Sequence, residues 1–328
     1  MPASGVCLGG ARMNALVTGV AGLIGSHLAE ALIGGGHKVI GVDCFTDYYE
    51  RSRKEANLSS LMGHSSFKFT EIDLTETDLA TLVAGVTHVF HLAAQPGVRH
   101  SWKRGFRAYT ARNLDATQGL LEACAEQPVE RFIYASSSSV YGDHAALPMR
   151  EDASPLPVSP YGVTKLAAEL LCRLYHETSG VPVVVLRYFT VYGPRQRPDM
   201  AFHRFLLAAI RGKPIYVYGD GRQTRDFTFV SDTVTATVAA GTHGTVGRIY
   251  NVGGGSQVSV SDALEIVAAC AGRPLDIQSK PSQRGDMRDT YADTSLAQRD
   301  LGFTPTISLT EGLRAEHEWL SQLSTVNP

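Results

Sequence analysis

The first thirty residues of recognisable pattern fix the kind of chain this is. Residues 13–18 (MNALVT) read as a short buried strand, residues 19–25 (GVAGLIG) as a turn, and residues 26–33 as a helix ending at a glycine triplet. Residues 37–42 (HKVIGV) read as a second strand, closed by Asp43. Strand, glycine-rich turn, helix, strand and acid in this order describe one βαβ crossover. Gly19, Gly22 and Gly25 allow a tight turn and let a pyrophosphate approach the backbone and the helix terminus, with Leu23 and Ile24 between them. Asp43 can take both hydroxyls of an adenosine ribose. A 2'-phosphate would be repelled there and no arginine follows at once, which points to NAD over NADP. The spacing is G-x-x-G-x-x-G, and a glycine triplet alone is weak evidence; the flanking strand–helix–strand–acid order makes it a dinucleotide site.

The chain continues the same alternation. Residues 47–61 read as an inserted loop and helix, with Tyr48, Tyr49, Arg51, Arg53 and Lys54 expected at the surface. Residues 67–69 form a third strand. Asp73 then either accepts from an adenine amino group, with Leu74 against the ring, or caps a helix beginning near Thr75. Residues 88–92 form a fourth strand, and the small Ala93 and Ala94 at its end let a cofactor cross closely. His91, without a cysteine or acid cluster, reads as a packed core histidine and not a metal ligand. Arg99 suits either a substrate contact or a structural ion pair. A helix over 107–126 carries Asn113, which either bonds backbone near the site or faces solvent.

Residues 131–135 form a fifth strand and deliver Ser136, Ser137, Ser138 and Ser139 to the carboxyl rim of the sheet. The stretch 143–160, stiffened by Pro148, Pro155, Pro157 and Pro160, is expected to fold over that rim as part of a sugar pocket. Tyr161 and Lys165 follow, four residues apart on a helix over 161–178, and so share one face. A nearby ammonium favours the phenolate of a tyrosine, whose free pKa is about 10. Such a phenolate is a base near neutral pH, and Ser137 can hydrogen-bond the same substrate oxygen. Y-x-x-x-K alone is ordinary helix surface; the nucleotide fingerprint ahead of it gives it meaning. Residues 181–186 are a further buried strand, after which Tyr188 and Phe189 lie either near a nicotinamide or in the core. Later segments are a helix over 201–211, a strand over 215–219, and a polar return carrying Arg222 and Arg225, for phosphates or for surface ion pairs. Helices over 230–241 and 259–271, a segment 249–253 read as rejoining the sheet, a helix ending at 301 and a last helix over 309–320 complete the pattern. With no repeat and no low-complexity linker, the smaller part is interleaved with the sheet.

Composition excludes other classes. A formal charge of -2 over 328 residues offers no basic excess for nucleic acid or an anionic membrane. The five cysteines are scattered and unpaired by spacing, and the 11 histidines show no H-E-x-x-H, so no metal is expected and a reducing, cytoplasmic setting is. No apolar run reaches membrane-spanning length. Residues 1–12 lack the apolar core of a signal peptide and are expected to form a disordered tail.

The set Gly19, Gly22, Gly25, Asp43, Asp73-Leu74, His91 to Ala94, Ser137, Tyr161 and Lys165 resembles the extended short-chain dehydrogenases/reductases, and within them the nucleotide-sugar epimerases and dehydratases. Asp47-Tyr48-Tyr49 with Lys54-Glu55-Ala56, the segments 95–101 and 136–142, and Arg187 to Arg195 are most similar to UDP-glucuronate 4-epimerases. Ser138 and Ser139 stand where 4,6-dehydratases carry Asp-Glu, and Ser139 where uronate decarboxylases carry a glutamate. The resemblance implies an α/β fold: a Rossmann-like, mostly parallel sheet flanked by helices, with a smaller interleaved α/β substrate-binding domain. It implies an NAD-binding domain over 13–190, with 228–254 returning to it, and a nucleotide-sugar domain over 191–227 and 255–328. It implies tightly held NAD regenerated in each cycle, with Ser137, Tyr161 and Lys165 catalytic, Lys165 also on the nicotinamide ribose, and Tyr188 beside the cofactor. It places Thr190, Arg225, Arg284 and Asp286 around a UDP-sugar, and Ser138, Ser139, Thr190 and Arg99 or Arg197 near the sugar. A uronate oxidised at C4 is a β-keto acid that loses carbon dioxide when its carboxylate bond aligns with the carbonyl, so such a site must fix that carboxylate. The resemblance further implies a homodimer through helices near 107–126 and 161–178.

Overall fold

The computed structural model describes residues 12–326; the tail expected over 1–12 therefore lies, but for Arg12, outside the described residues. The strands are β1 (Asn14–Thr18), β2 (Lys38–Asp43), β3 (Phe67–Glu71), β4 (His88–His91), β5 (Arg131–Ser137), β6 (Val183–Tyr188), β7 (Thr190–Tyr192), β8 (Ile215–Tyr218), β9 (Thr224–Phe229), β10 (Ile249–Val252), β11 (Gln257–Ser259) and β12 (Ile277–Lys280). The main sheet has the order β10-β6-β5-β4-β1-β2-β3, and every neighbouring pair in it is parallel, so the expected mostly parallel sheet is parallel throughout. The chain runs outward through β1, β2 and β3, then returns to place β4 against the other side of β1. That reversal opens a crevice at the carboxyl ends of β1 and β4.

The α-helices are α1 (Leu23–Gly34), α2 (Arg51–Leu58), α3 (Leu79–Val83), α4 (Phe106–Thr110), α5 (Ala116–Glu126), α6 (Pro160–Ser179), α7 (Ala201–Arg211), α8 (Val230–His243), α9 (Val260–Ala271), α10 (Ser295–Leu301) and α11 (Leu309–Val326). The period of two along β1 feeds opposite faces of the sheet. Ala15 and Val17 join Leu28 and Leu32 of α1 and Val234 and Ala240 of α8, while Leu16 joins Leu120 and Leu121 of α5 and Ala168 and Cys172 of α6. A third core, built from Tyr192, Phe202, Phe205, Val217, Phe227, Val267 and Leu313, draws on residues before and after β10. There β9 pairs in parallel with β7 and antiparallel with β11, and β8 pairs with β12.

Four expectations change. The helix over 107–126 is α4 and α5 joined by a π-helical turn, Ala111–Asp115. The widened turn carries Asn113, which is buried and bridges Gln95 and the catalytic-helix residue Thr164. Lys54 is not a surface group: it is 4% exposed and bonds the Thr46 carbonyl, over the Tyr49 ring. The helix expected near Thr75 begins at Leu79, capped by Asp78. The proline-rich stretch 143–160 does not fold into the sugar pocket, and none of its residues lines the cleft described below. Met149 instead bridges to Ala292, tying the stretch to the later part of the chain.

Candidate active site

A cleft of about 1030 Å3 runs along the carboxyl ends of the sheet and on between the sheet and the third core. One end is the glycine turn. Gly19 has φ +68, and a Cβ there would stand 2.8 Å from the Ala93 nitrogen. The turn after β1 and the end of β4 are thus in contact, which explains the small residues on both. Helix α1 starts at Gly22 with no side-chain cap and no acid in its first turn, so its N-terminal N–H groups are free for an anion. Gly22, Leu23, Ile24, Gly25, Ala93 and Ala94 all line this end.

Asp43 ends β2 in the same cleft. Its Oδ2 accepts from the Ala21 N–H at 3.1 Å and its Oδ1 from the Phe45 N–H at 2.9 Å. Burial pushes its carboxyl up, against these hydrogen bonds and the charge of Lys54. Asp73 and Leu74 line the cleft as well; Asp73 does not cap a helix, since α3 is capped by Asp78, and closes a turn instead. Its Oδ1 accepts from the Thr75 N–H, and its Oδ2 lies 3.8 Å from Arg112. A glycine cradle in touch with small residues, an uncapped helix end and a carboxylate beyond it fit the pyrophosphate and ribose of NAD.

Ser137, Tyr161 and Lys165 come together where β5 meets α6. Ser159 caps α6 by accepting from the Gly162 N–H at 3.1 Å, and Pro160 takes the first helical position, which puts Tyr161 in the first turn. Ser137, Ser138, Ser139, Tyr161 and Lys165 line one part of the cleft. Burial pushes the Tyr161 phenol up; its hydrogen bond with Ser137 and the charge of Arg197 pull it down. Lys165 Nζ donates to the Ala135 carbonyl of β5 at 2.7 Å, over the Tyr134 ring. Burial lowers the Lys165 ammonium to about 8. The Tyr109 ring meets Tyr161 edge-on at 6.2 Å, and its hydroxyl donates to the carbonyls of Pro96 and Gly97.

Behind this surface lies a charged layer. Glu169, one turn beyond Lys165, bonds the Ser136 hydroxyl and forms a bidentate pair with Arg187 at 3.0 and 2.7 Å. The Arg187 guanidinium covers the Tyr141 ring, whose hydroxyl donates to Asn251 Oδ1 at 2.7 Å. His91 belongs to the core as expected: its two nitrogens meet Thr18 Oγ1 and Thr117 Oγ1.

The other expected contacts divide. Tyr188, Thr190, Arg99, Arg197, Arg225 and Asp286 line the cleft, as does Phe189. Tyr188 also hydrogen-bonds Thr237 in the core, and Phe189 packs on Tyr141, so for these two the cofactor-side and core readings coexist. Arg99 likewise pairs with Asp286 at 2.7 Å while facing the cleft. Arg225 donates to the carbonyls of Thr224, Met287 and Arg288, which fixes its guanidinium at the wall. Arg284 is the exception: it is exposed, stacks 3.9 Å from the Trp102 ring, and is not part of the lining. Tyr48, Tyr49 and Lys54, expected at the surface, line the cleft instead, as do Arg112 and Arg204, which no sequence pattern marks. For the first three the signal was their place just after Asp43, at the carboxyl rim of β2.

Comparison with known proteins fits this geometry. The chain matches the NAD dependent epimerase/dehydratase family over residues 15–253. It is 45% identical over 313 residues to an uncharacterised UDP-glucose epimerase, YtcB, of Bacillus subtilis, covering 95% of this chain and 99% of that protein. It is 38% identical to the UDP-glucuronate 4-epimerase of Thermodesulfobacterium geofontis, covering 93% of this chain and 95% of that one. A crystal structure of UDP-glucuronic acid 4-epimerase from Bacillus cereus in complex with UDP-glucuronic acid and NAD superposes with a TM-score of 0.92 at 44% identity, over 95% of this chain and all of that chain.

Proposed function

The chain belongs to the NAD dependent epimerase/dehydratase family, and from that premise we propose that it interconverts UDP-glucuronate and UDP-galacturonate. The route is transient oxidation at C4, rotation of the 4-keto sugar and re-reduction. The observation that carries the reading is the juxtaposition in one cleft of the Gly19 cradle with Tyr161, Ser137 and an uncharged serine run. When bound, NAD accepts the C4 hydride and returns it, and so is regenerated in each cycle.

The protein's own groups do the rest. Gly19 to Gly25 and the start of α1 hold the pyrophosphate, Asp43 the adenosine ribose, and Asp73 with Leu74 the adenine. Tyr161 takes the C4 hydroxyl proton and later gives it back from the same atom. Ser137 hydrogen-bonds that oxygen, and Lys165 holds the nicotinamide ribose. Arg99 and Arg225 meet the nucleotide diphosphate, while Thr190 and Asp286 stand around it and the ribose, Asp286 as an acceptor for ribose hydroxyls. Ser138 and Ser139 offer hydroxyls to the sugar, and no carboxylate of theirs repels a uronate. Each of the two arginines considered for the sugar carboxylate already faces an acid, Arg99 with Asp286 and Arg197 with Asp199; of the two, Arg197 is the better placed, because its charge reaches Tyr161. Residues 13–190 and 228–254 serve the cofactor, and 191–227 with 255–328 the nucleotide sugar. The enzyme acts in the cytoplasm as a homodimer. Val163, Leu170 and Leu174 form an apolar stripe on α6, 47%, 59% and 50% exposed, with Phe106 of α4 also exposed.

The test supplies UDP-glucuronate to purified protein without added reductant and follows C4 inversion by proton NMR. UDP-galacturonate with its carboxylate retained is expected, and Tyr161→Phe abolishes its formation. Conversion of UDP-glucose to UDP-galactose with none of the uronate would replace this reading by a neutral-sugar epimerase.

A further inference from the structure

Tyr48 lies on the β2–α2 insertion, in the sequence next to the cofactor acid, yet it touches both walls of the cleft further on. Its hydroxyl is 3.2 Å from His100 Nδ1 and donates to Asp199 Oδ2 at 3.3 Å. Its ring meets His100 edge-on at 5.6 Å, and the Arg197 guanidinium lies 5.6 Å over its face. The same hydroxyl rests on Gly97, whose φ of +95 suits glycine, and any Cβ at Gly97 would collide with it. Asp199 in turn holds Nε and Nη2 of Arg197 at 3.0 and 3.1 Å. The phenol therefore joins the loop after β4 to the loop after β7.

Both loops lead to the reacting centre. The Gly97 carbonyl accepts from the Tyr109 hydroxyl, whose ring packs on Tyr161. Arg197 supplies the charge that pulls the Tyr161 phenol down. A guanidinium on a loop has many orientations, and a carboxylate pair is strong only when the fork is held in plane. Asp199 holds that plane, and Tyr48 holds Asp199 against the opposite wall.

We propose that Tyr48 is a positioning residue for acidic sugars: by bridging Asp199 to the Gly97 loop it sets the Arg197 guanidinium to receive the carboxylate of the substrate. This rests on the uronate reading above. Tyr48 itself need not touch the sugar, and its effect is confined to substrates that carry the anion.

The experiment is calorimetric titration of the NAD-loaded protein with UDP-glucuronate and with UDP-glucose, in the parent and in Tyr48→Phe. The phenylalanine keeps the ring under Arg197 and against His100 and removes only the bridging hydroxyl. UDP-glucuronate is expected to bind about tenfold more weakly, the size of one lost hydrogen bond to a charged group, and UDP-glucose within about twofold of the parent. Asp199→Asn is expected to move the preference the same way. In turnover, KM for the uronate rises more than kcat falls. Equal weakening of both ligands, or no change in either, overturns the proposal and leaves the uronate reading standing. A parent that does not prefer UDP-glucuronate to UDP-glucose overturns both.

Discussion

The pair Glu169–Arg187 is the strongest test of how the catalytic helix is held. Both side chains are nearly sealed from water, 4% and 3% exposed, and they meet through two short hydrogen bonds. Taking two charges out of water is costly, and the pair recovers that cost only while both members are present. Glu169→Met leaves Arg187 a buried cation with only the Tyr141 face and the Glu151 carbonyl. Arg187→Met leaves a buried carboxylate with only the Ser136 hydroxyl. Each single change is expected to cost about 3–5 kcal/mol. The double change removes both charges at once, so it should cost less than the sum of the singles by at least about 2 kcal/mol. Equilibrium urea unfolding measures this through the midpoints, provided the slopes agree. Activity gives a second reading: Glu169 stands one turn beyond Lys165 and bonds the neighbour of Ser137, so both singles should lower kcat as well. Additive free energies for the two single changes would refute the reasoning, because the ion pair would then carry no coupling.

Three further outcomes follow from separate parts of the fold. Asp226 is fully buried, accepts from the Gly254 and Ala292 N–H groups, and has its carboxyl raised by burial from 3.8 to about 6. Between those values the folded state keeps a proton that the unfolded state has lost, so the stability it contributes is full below about 4 and is lost as pH rises through 6. The span is worth about 3 kcal/mol, and Asp226→Asn should narrow the difference between urea midpoints at pH 4 and pH 7. Leu170→Glu, at a position 59% exposed on α6, should turn a dimer into a monomer in analytical ultracentrifugation without unfolding it. Arg197→Met removes the cation that pulls the Tyr161 phenol down, so the rise of kcat/KM with pH, which follows loss of the phenolic proton, should move to higher pH.

The first half of the fold was legible because each of its signals is local. Glycine spacing, a strand ending on an acid and small residues after β4 all express one backbone requirement, close passage of a cofactor at the crevice between β1 and β4. Tyr161 and Lys165 were legible as a pair for the same reason, since helical spacing places both on one face. What each of them touches was not. The direction of the Lys165 ammonium depends on the Ala135 carbonyl of a strand thirty residues earlier, and a cation that favours the Tyr161 phenolate, Arg197, stands on another loop. Lys54 shows the same limit: a lysine in a polar run reads as surface until the backbone of Thr46 closes over it. The π turn at Asn113 left no periodic mark because the helix continues on both sides of it.

These misses share a cause that bears on how the site works. Helix α6 and strand β5 hold the phenol and the serine hydroxyl, and both belong to the parallel sheet. Burial between those elements favours the neutral phenol, which is the wrong form for removing a proton. The cation opposing that burial stands on the loop after β7, fastened through Asp199 and Tyr48 to the loop after β4. The surroundings of the Tyr161 phenol are therefore set by both sides of the cleft, and not by its own helix alone. In the proposed reaction a ligand that orders Arg197 would also bear on Tyr161, the group assigned to take its proton, so binding and activation would share one side chain. No pattern within a single segment can encode such a coupling, which is why it became visible only when the segments were brought together.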